Sequence, residues 1–490
     1  MRLADLLADV EVDRITGPLD VEVREVVLDS RRAGPGTLFA AAPGAHHDGH
    51  DHADEAVARG AVAVLCERPL DVPVTRVEVG SVRRAVGPIA AAAQGHPSAA
   101  LTVLGVTGTN GKTTVTHLLE AIAGAAGRRV GVVGTLGARV GTDAVPVGFT
   151  TPEAPDLQAL LATMRDRRVD TVAMEVSSHA LTLHRVDGTR FAAACFTNLT
   201  HDHLDFHGSM EAYLAAKARL FTPAFTGHAA VNVDDPHGPA LVDRARRDGL
   251  EVATFGLGPE AEVSARAVEP GPEGTRLTLT LRATGEEYPA RLALLGRINV
   301  ANALAAAATA LTVGFEPATV IDGLAAAATV PGRLERVDAG QAFTLLVDYA
   351  HTPDALAAVL GDARRIAAGG RVIAVFGCGG DRDRAKRPLM GAAAGAQADL
   401  VVLTTDNSRS EDPAAIADEV ERGLRDGAAR YEVVLDRRAA IARAVELAGP
   451  GDVVVVAGKG HESGQTAGDA TTPFDDRVVA REVLEGAACA

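Results

Sequence analysis

The sequence predicts an α/β protein of three domains: a small N-terminal α/β unit, a central doubly wound unit and a C-terminal Rossmann-like unit. Two observations carry this. From residue 99 onward, buried runs of four to seven residues alternate with helical patterns, which indicates a mainly parallel sheet covered on both faces. The 490 residues are also too many for one core and suit about three domains. Breaks at His96-Pro97-Ser98 and Pro331-Gly332 divide the chain into 1–98, 99–330 and 331–490.

The first stretch holds short β-like runs at Val26–Leu28, Thr37–Ala40 and Ala61–Leu65, and one clear helix from Val82 to Gln94. The second opens on the apolar run Leu101–Val106, continues through strands at Val130–Val133, Thr171–Val176 and Ala229–Asn232, and carries an inserted hairpin at 263–268 and 275–282. The third repeats the alternation: strand Thr344–Val347, helix Pro353–Arg365, then strands Val372–Phe376, Leu400–Leu403 and Val453–Val456. The Ala-rich segments near 303–310 and 325–328 read as helix interiors.

Composition removes several function classes. Aromatics are 3% and Trp is absent, so cores of Ala, Val and Leu are expected within a hydrophobic content of 47%. A net charge of -16 argues against a general nucleic-acid binder, which needs clustered cations. No run reaches membrane-spanning length, and Cys66, Cys195, Cys378 and Cys489 have neither metal-ligand nor disulfide spacing. The expectation is a soluble cytoplasmic protein with reduced thiols.

Residues Gly108-Thr109-Asn110-Gly111-Lys112-Thr113-Thr114 lie between a strand and a helix. The turn's N–H groups and the helix N-terminus would face one anion, Lys112 adds a point charge, and Thr113 can reach a magnesium ion. This commits the chain to a nucleoside triphosphate. The spelling is a shortened phosphate loop, since its usual first glycine would fall at Val106.

Other polar residues also gather at strand ends, where ligands bind in open α/β sheets. Glu175 ends a strand and suits a hard cation, or else caps a turn. Asp202-His203-Leu204-Asp205-Phe206-His207 concentrates carboxylates and imidazoles; zinc is conceivable, but its Cys/His spacing is missing and magnesium fits better. His201 reads as a surface residue. By composition alone Lys217, a lone lysine on a helix, reads as a solvated face. Asp348 at a strand end could accept ribose hydroxyls, and the loops Gly379–Arg384 and Asp406–Arg409 offer guanidinium forks for a carboxylate.

With these motifs the chain resembles the Mur ligases, in particular those that add the third amino acid to UDP-MurNAc-L-Ala-D-Glu. The resemblance spans nearly the whole length: Leu28–Arg31, Gly108–Thr114, Thr150–Pro152, Met174–His179, Phe196–Leu199, Asp202–Gly208, Ala215–Lys217, Gly296–Asn299, Pro331–Arg333, Val347–Pro353 and Gly458–Glu462. It implies an ATP- and Mg2+-dependent ligase working through an acyl phosphate. Lys112, Glu175, His203 and Lys217 are its implied catalytic residues. Gly108, Thr109, Asn110, Gly111, Thr113, Thr114, Asn299, Asn302, Arg333 and Asp348 would join Lys112 around ATP. Thr113, Glu175, His203 and Lys217 would hold magnesium, with Lys217 carbamylated.

Similarity further assigns Ser30, Ala45, His46, His47, Thr150, Thr151, Ser178 and Arg185 to the UDP-MurNAc-dipeptide. Arg382, Asp406, Asn407, Arg409, Gly458 and Glu462 fall to diaminopimelate. Family members that use the meso isomer read Asp-Asn-Pro-Arg, and here Ser408 replaces the proline. The meso isomer is the first expectation, and LL stays open. A monomer with small-molecule partners is expected. A folylpolyglutamate-synthase-like ligase, a relative acting on a secondary metabolite and a non-catalytic binding paralogue are the alternatives. The first lacks a counterpart of the N-terminal hundred residues, and the last would be expected to lose Lys112, Glu175 or Lys217.

Overall fold

The computed structural model of the chain describes residues 1–44, 47–271 and 274–488, and its main sheets have five, eleven and six strands. Ala45 and His46, assigned by similarity to the uridine nucleotide, lie outside the described residues. The N-terminal sheet runs Arg14–Thr16, Thr75–Glu78, Ala61–Cys66, Thr37–Ala40, Glu25–Val27, parallel except for its first strand. Its helix Val82–Ala93 starts where the Ser81 side chain accepts from Arg84 N–H. The helix then buries Val82, Val86 and Ile89 against Leu38, Leu65 and Val77.

Six parallel strands form the middle of the central sheet, in the order Glu251–Gly256, His228–Asn232, Ala193–Phe196, Thr102–Thr107, Thr171–Glu175, Val130–Gly134. Thr102–Thr107 has later strands on both sides, so the turn after it sits at a topological switch point. One face is covered by helices Lys112–Ala125, Arg297–Thr312 and Pro317–Ala326, and the other by Ala154–Asp166 and Gly238–Arg247. The long helix Arg297–Thr312 is almost wholly buried, and its alanines let it lie close to both sheet and neighbouring helix.

The expected inserted hairpin is larger than the sequence suggested. Strands Val263–Gly271 and Gly274–Leu281 are joined by a third, Glu286–Leu292, in an antiparallel meander. The meander also extends the main sheet, pairing in parallel at Phe255↔Val263. It covers what would otherwise be an open edge of the parallel core. Its apolar side, with Leu277, Leu279 and Leu292, joins the core under the alanine-rich helix.

The C-terminal sheet runs Glu335–Val337, Thr344–Asp348, Val453–Ala457, Val372–Phe376, Leu400–Leu403, Arg430–Val433, all parallel after the first pair. Apolar clusters fill both faces, as a continuous Val/Ile/Leu strand pattern requires. The strand ends at Asp348, Ala457, Phe376 and Leu403 therefore share one edge. Two of the loops on that edge are pinned from below by Arg437. It donates to Thr405 O (3.0 Å) and Ala457 O (2.9 Å) and pairs with Asp476 at 2.6 Å, both side chains fully buried.

Among the described residues no helix is long and apolar enough to cross a membrane. Cys66, Cys195 and Cys378 are unpaired and buried, and burial pushes their thiols up to about 11, 12 and 12. They are packing groups here, with little thiolate character.

Removing one partner of a buried ion pair leaves the other uncompensated. Arg437→Ala should destabilise the C-terminal domain by about 3–5 kcal/mol, read as an earlier urea transition of that domain, with the transition of the central domain unmoved.

Candidate active site

Strand Thr102–Thr107 delivers the chain into the glycine-rich turn, and helix Lys112–Ala125 leaves it. Gly108 (φ 149°) and Gly111 (φ 87°) adopt backbone conformations that other residues avoid. A Cβ would overlap the Thr197 hydroxyl at the first position and the Asn302 amide oxygen at the second. The next strand braces the turn: Asn110 N–H donates to Asn198 Oδ1 and Thr109 N–H to Asn198 O, each at 2.9 Å. The Thr197 hydroxyl donates to Asn110 O at 2.6 Å.

Three cations converge on this turn. Lys112 Nζ donates to Gly108 O (3.0 Å) and Thr109 O (2.9 Å), and Lys217 Nζ donates to the same Gly108 O at 2.7 Å. Arg333 reaches in from the C-terminal side, where its guanidinium donates to Thr113 Oγ1 (3.1 Å) and lies over the Tyr349 ring. Its Nε is buried without a partner.

The solvated-face reading of Lys217 is overturned. The residue is 1% exposed, on helix Met210–Ala218, with its Nζ 4.4 Å from the centre of the Tyr213 ring. The helix turns Tyr213, Ala216, Ala218 and this lysine inward, which a polar spacing pattern cannot reveal. Burial first, and the Lys112 charge second, hold the Lys217 amine well below the ordinary lysine range; Asp202 opposes them.

Glu175, also 1% exposed, accepts from Thr135 N–H at Oε1 (2.8 Å) and from the Thr135 hydroxyl at Oε2 (3.0 Å). The capping reading thus describes part of its bonding; each oxygen can accept further bonds, and the residue lines the cavity. His203 sits in the left-handed region (φ 54°), 3.3 Å from Asp202. Desolvation pushes its imidazole down to about 4, so it is neutral and able to ligate. His201 is not a plain surface residue: its Nε2 lies 3.1 Å from Asp383 Oδ2 of the C-terminal domain.

These groups line a cavity of about 670 Å³ between the central and C-terminal domains. Asn299 and Asn302 form part of its wall, bonded to each other at 3.0 Å. Asp348 lies opposite, with its oxygens accepting from Leu334 N–H and Ala350 N–H, both at 2.7 Å. Burial raises its pKa, while Arg333 and those N–H groups oppose the rise. Its bonds to ribose could use only the remaining lone pairs.

Thr150, Thr151 and Arg185 line the same cavity. Thr151 donates to Glu175 O (2.9 Å), and Arg185 pairs with Glu153 (3.0 Å) beneath Phe149 while its Nε has no partner. Ser178 is bonded to His207 Nε2 at 2.9 Å. Ser30, bonded to Glu55 at 2.8 Å, and His47 belong to the N-terminal domain and do not line the cavity.

Arg382, Asp406, Asn407, Arg409, Gly458 and Glu462 form a separate group on the shared edge of the C-terminal sheet. Arg409 donates to Gly380 O (2.7 Å), and Asn407 Nδ2 donates to Glu462 (2.9 Å). Gly458 (φ 113°) has no room for a Cβ beside Asp406. Arg382 is exposed and bonded to Asp381 O at 2.9 Å. Sequence reasoning passed over Thr135 and Phe149. Thr135 follows directly on the strand Val130–Gly134, and that position was the available signal.

A phosphate turn at a sheet's switch point, closed over by a second α/β domain that supplies an arginine, defines a nucleotide-site ligase architecture. Residues 22–100, 106–310 and 332–460 match, in turn, the Mur ligase family catalytic domain, the Mur ligase middle domain and the Mur ligase glutamate ligase domain. The chain belongs to the Mur ligase family, with its three-domain α/β fold. It is 42% identical to the UDP-N-acetylmuramoyl-L-alanyl-D-glutamate–2,6-diaminopimelate ligase of Syntrophomonas wolfei, covering 99% of both chains. It is 46% identical to the ligase of that name from Streptomyces avermitilis, covering 95% of this chain and 93% of that one. A solved structure of a ligase with this name matches with TM-score 0.72 and 33% identity over 100% of this chain and 99% of its own. The folylpolyglutamate synthase of Mycobacterium tuberculosis shares the fold at 22% identity and TM-score 0.61, but covers 75% of this chain and 91% of its own.

A side chain at Gly111 must enter the left-handed region and displace Asn302. Gly111→Ala should therefore weaken Mg-ADP binding roughly tenfold or more, measured by titration calorimetry. Unchanged affinity would mean that the turn is not the phosphate site.

Proposed function

We propose that the chain is an ATP-dependent amide ligase that joins diaminopimelate, as the meso isomer, to UDP-MurNAc-L-Ala-D-Glu in cytoplasmic peptidoglycan precursor synthesis. One observation carries the reading. Lys112, Lys217 and Arg333 converge on a phosphate turn beside Arg185, a buried arginine with an unpartnered Nε. Two anions, a triphosphate and a peptide carboxylate, suit those two neighbouring positions. The full-length likeness to ligases of this name supports the same substrates. A folate-type substrate is less well supported, because the corresponding neighbour leaves a quarter of this chain uncovered.

In this reading the turn amides and Lys112 hold the β- and γ-phosphates, and Arg333 closes over them. The carboxylate held by Arg185 attacks the γ-phosphorus, the bond to the β-phosphate oxygen breaks, and ADP leaves with the electron pair. The uncharged amine of diaminopimelate then attacks the acyl carbon. Inorganic phosphate departs from the tetrahedral intermediate, the nitrogen loses a proton, and an amide remains. Charge neutralisation and positioning are what phosphoryl transfer asks of a protein. The domain enclosure keeps water from the acyl phosphate.

The donors present fit magnesium. Thr113 and Glu175 offer oxygens, and among the described residues no group of three or more His, Cys, Asp or Glu builds an all-protein cage. A hard divalent ion that keeps phosphate and water ligands suits such a sparse set. Bound there, magnesium would neutralise charge on the phosphate oxygens. His203, neutral, and Lys217 would serve a second ion. The depressed basicity of Lys217 supports its carbamylation, because the free amine is the form that adds to carbon dioxide, and the carbamate presents oxygens where an ammonium could not.

Arg409 and Arg382 are the carboxylate partners for the distal end of diaminopimelate, and Glu462 the ammonium partner. Loss of a buried Arg–carboxylate pair costs about 2–5 kcal/mol. L-lysine should therefore show kcat/KM lower by roughly 30-fold or more in a phosphate-release assay run beside meso- and LL-diaminopimelate. A preference for L-lysine would refute the substrate assignment.

Lys217→Ala should lower turnover by about 10²-fold or more with circular dichroism unchanged. Near-wild-type rates would remove this lysine from the mechanism.

A further inference from the structure

Lys459 is fully buried, yet neither the nucleotide site nor the contacts proposed for the amino acid use it. It sits one residue after the strand-end Gly458, and its ammonium meets two side chains of the amino-acid pocket. Nζ donates to Asn407 Oδ1 at 3.1 Å and to Glu462 Oε2 at 3.1 Å. Asn407 Oδ1 accepts a second bond from Thr466 N–H (2.9 Å), and Asn407 Nδ2 donates to the same Glu462 Oε2 (2.9 Å).

This network has one consistent orientation. An ammonium can only donate, so the face of Asn407 turned to Lys459 must be the carbonyl oxygen. Both lone pairs of that oxygen are then taken. Toward a ligand Asn407 has only a donor left, the second Nδ2 proton. Glu462 is fixed in the same way: its Oε2 takes both the lysine and the asparagine, while Oε1 has no partner among the described residues and the side chain is one-third exposed.

We infer that Lys459 is a positioning residue for amino-acid selection: it turns Asn407 into a donor for the distal carboxylate and presents Glu462 Oε1 to the distal ammonium. The inference rests on the diaminopimelate reading above. Without the ammonium, Asn407 Oδ1 would keep Thr466 N–H as its one donor, and the amide would be held less firmly in the orientation that offers Nδ2 to the carboxylate. Glu462 would also lose the cation that balances it and the bond that aims it. Recognition of the carboxylate would then fall to Arg409 and Arg382, and a substrate lacking that group would be rejected less strongly.

The test compares full-length wild type, Lys459→Met and Lys459→Arg in steady-state phosphate release, with unfolding midpoints alongside. Methionine keeps the buried volume and removes the donor; arginine restores a cation. The expected result is a KM for diaminopimelate raised tenfold or more in Lys459→Met, with KM for ATP and for the UDP-linked dipeptide within twofold of wild type. Part of the loss should be recovered in Lys459→Arg, and Asn407→Ala should add less than its own effect when combined with Lys459→Met. Three outcomes overturn the role: an unchanged KM for diaminopimelate, an equal rise in all three KM values, or full additivity with Asn407→Ala. Wild type inactive with every diaminopimelate isomer overturns both this inference and the substrate reading. An active wild type with an indifferent Lys459→Met overturns the positioning role alone.

Discussion

Two amino groups, those of Lys112 and Lys217, donate to one carbonyl oxygen, that of Gly108. Two full charges at that separation in a poorly solvated site repel strongly. Burial holds both amines below the ordinary lysine range, and the Lys112 charge adds to the shift of Lys217. Lys217, enclosed by Tyr213 and the turn, is pushed furthest from its ordinary protonation, while Lys112 keeps Glu175 and Asp202 nearby in partial compensation. The glycine at position 108 is part of the same constraint, because only a bare backbone lets Thr197 approach from behind while both amines approach from in front.

The third cation belongs to another domain. Each domain has its own apolar core, the C-terminal one also taking in Leu295 and Ile298 of the central domain, and the hydrogen bonds between these two domains include Arg333 to Thr113, His201 to Asp383, and Ile298 N–H to Asp362, each at 3.1 Å. Polar contacts of this kind exchange readily for water, whereas a continuous apolar core would weld the domains. A site divided in this way is complete only when the domains are together. Two buried guanidinium nitrogens without a hydrogen-bond partner, the Nε atoms of Arg185 and Arg333, belong to residues that border it. Orphaned donors of this type are costly in isolation and are relieved by an anion.

Much of this was legible in the chain. Strands such as Val372–Phe376 and Leu400–Leu403 are continuous apolar runs, and burial on both faces leaves them no other pattern. The strand, glycine-rich turn and helix at 102–125 were legible because an apolar run, paired glycines and a helical pattern follow one another directly. Lys217 was not legible from composition, since helix Met210–Ala218 is short and a lone lysine on it gives no periodic signal of burial. The third strand of the meander, Glu286–Leu292, was missed because Glu286, Glu287 and Arg291 make it read as solvated loop. Its pairing with Gly274–Leu281 is decided by tertiary contact. Thr135 carried no local signal beyond its place at a strand end.

The C-terminal sheet gives the two halves of the reaction a common frame. Asp348, lining the cavity, and Ala457 end adjacent parallel strands, and Gly458, at the head of the loop carrying Lys459 and Glu462, donates its N–H to Asp348 O at 3.1 Å. Tyr349, over which Arg333 lies, has its ring 4.9 Å from that of His461. The loop that would receive the amine is thus bonded directly to the strand end that would contact the nucleotide. A shift of either strand end must be felt by the other, because parallel register leaves no slack between neighbours. On the proposed reading, nucleotide and amine pockets would share one edge, and the peptide carboxylate, held by the central domain, would be the partner brought to it.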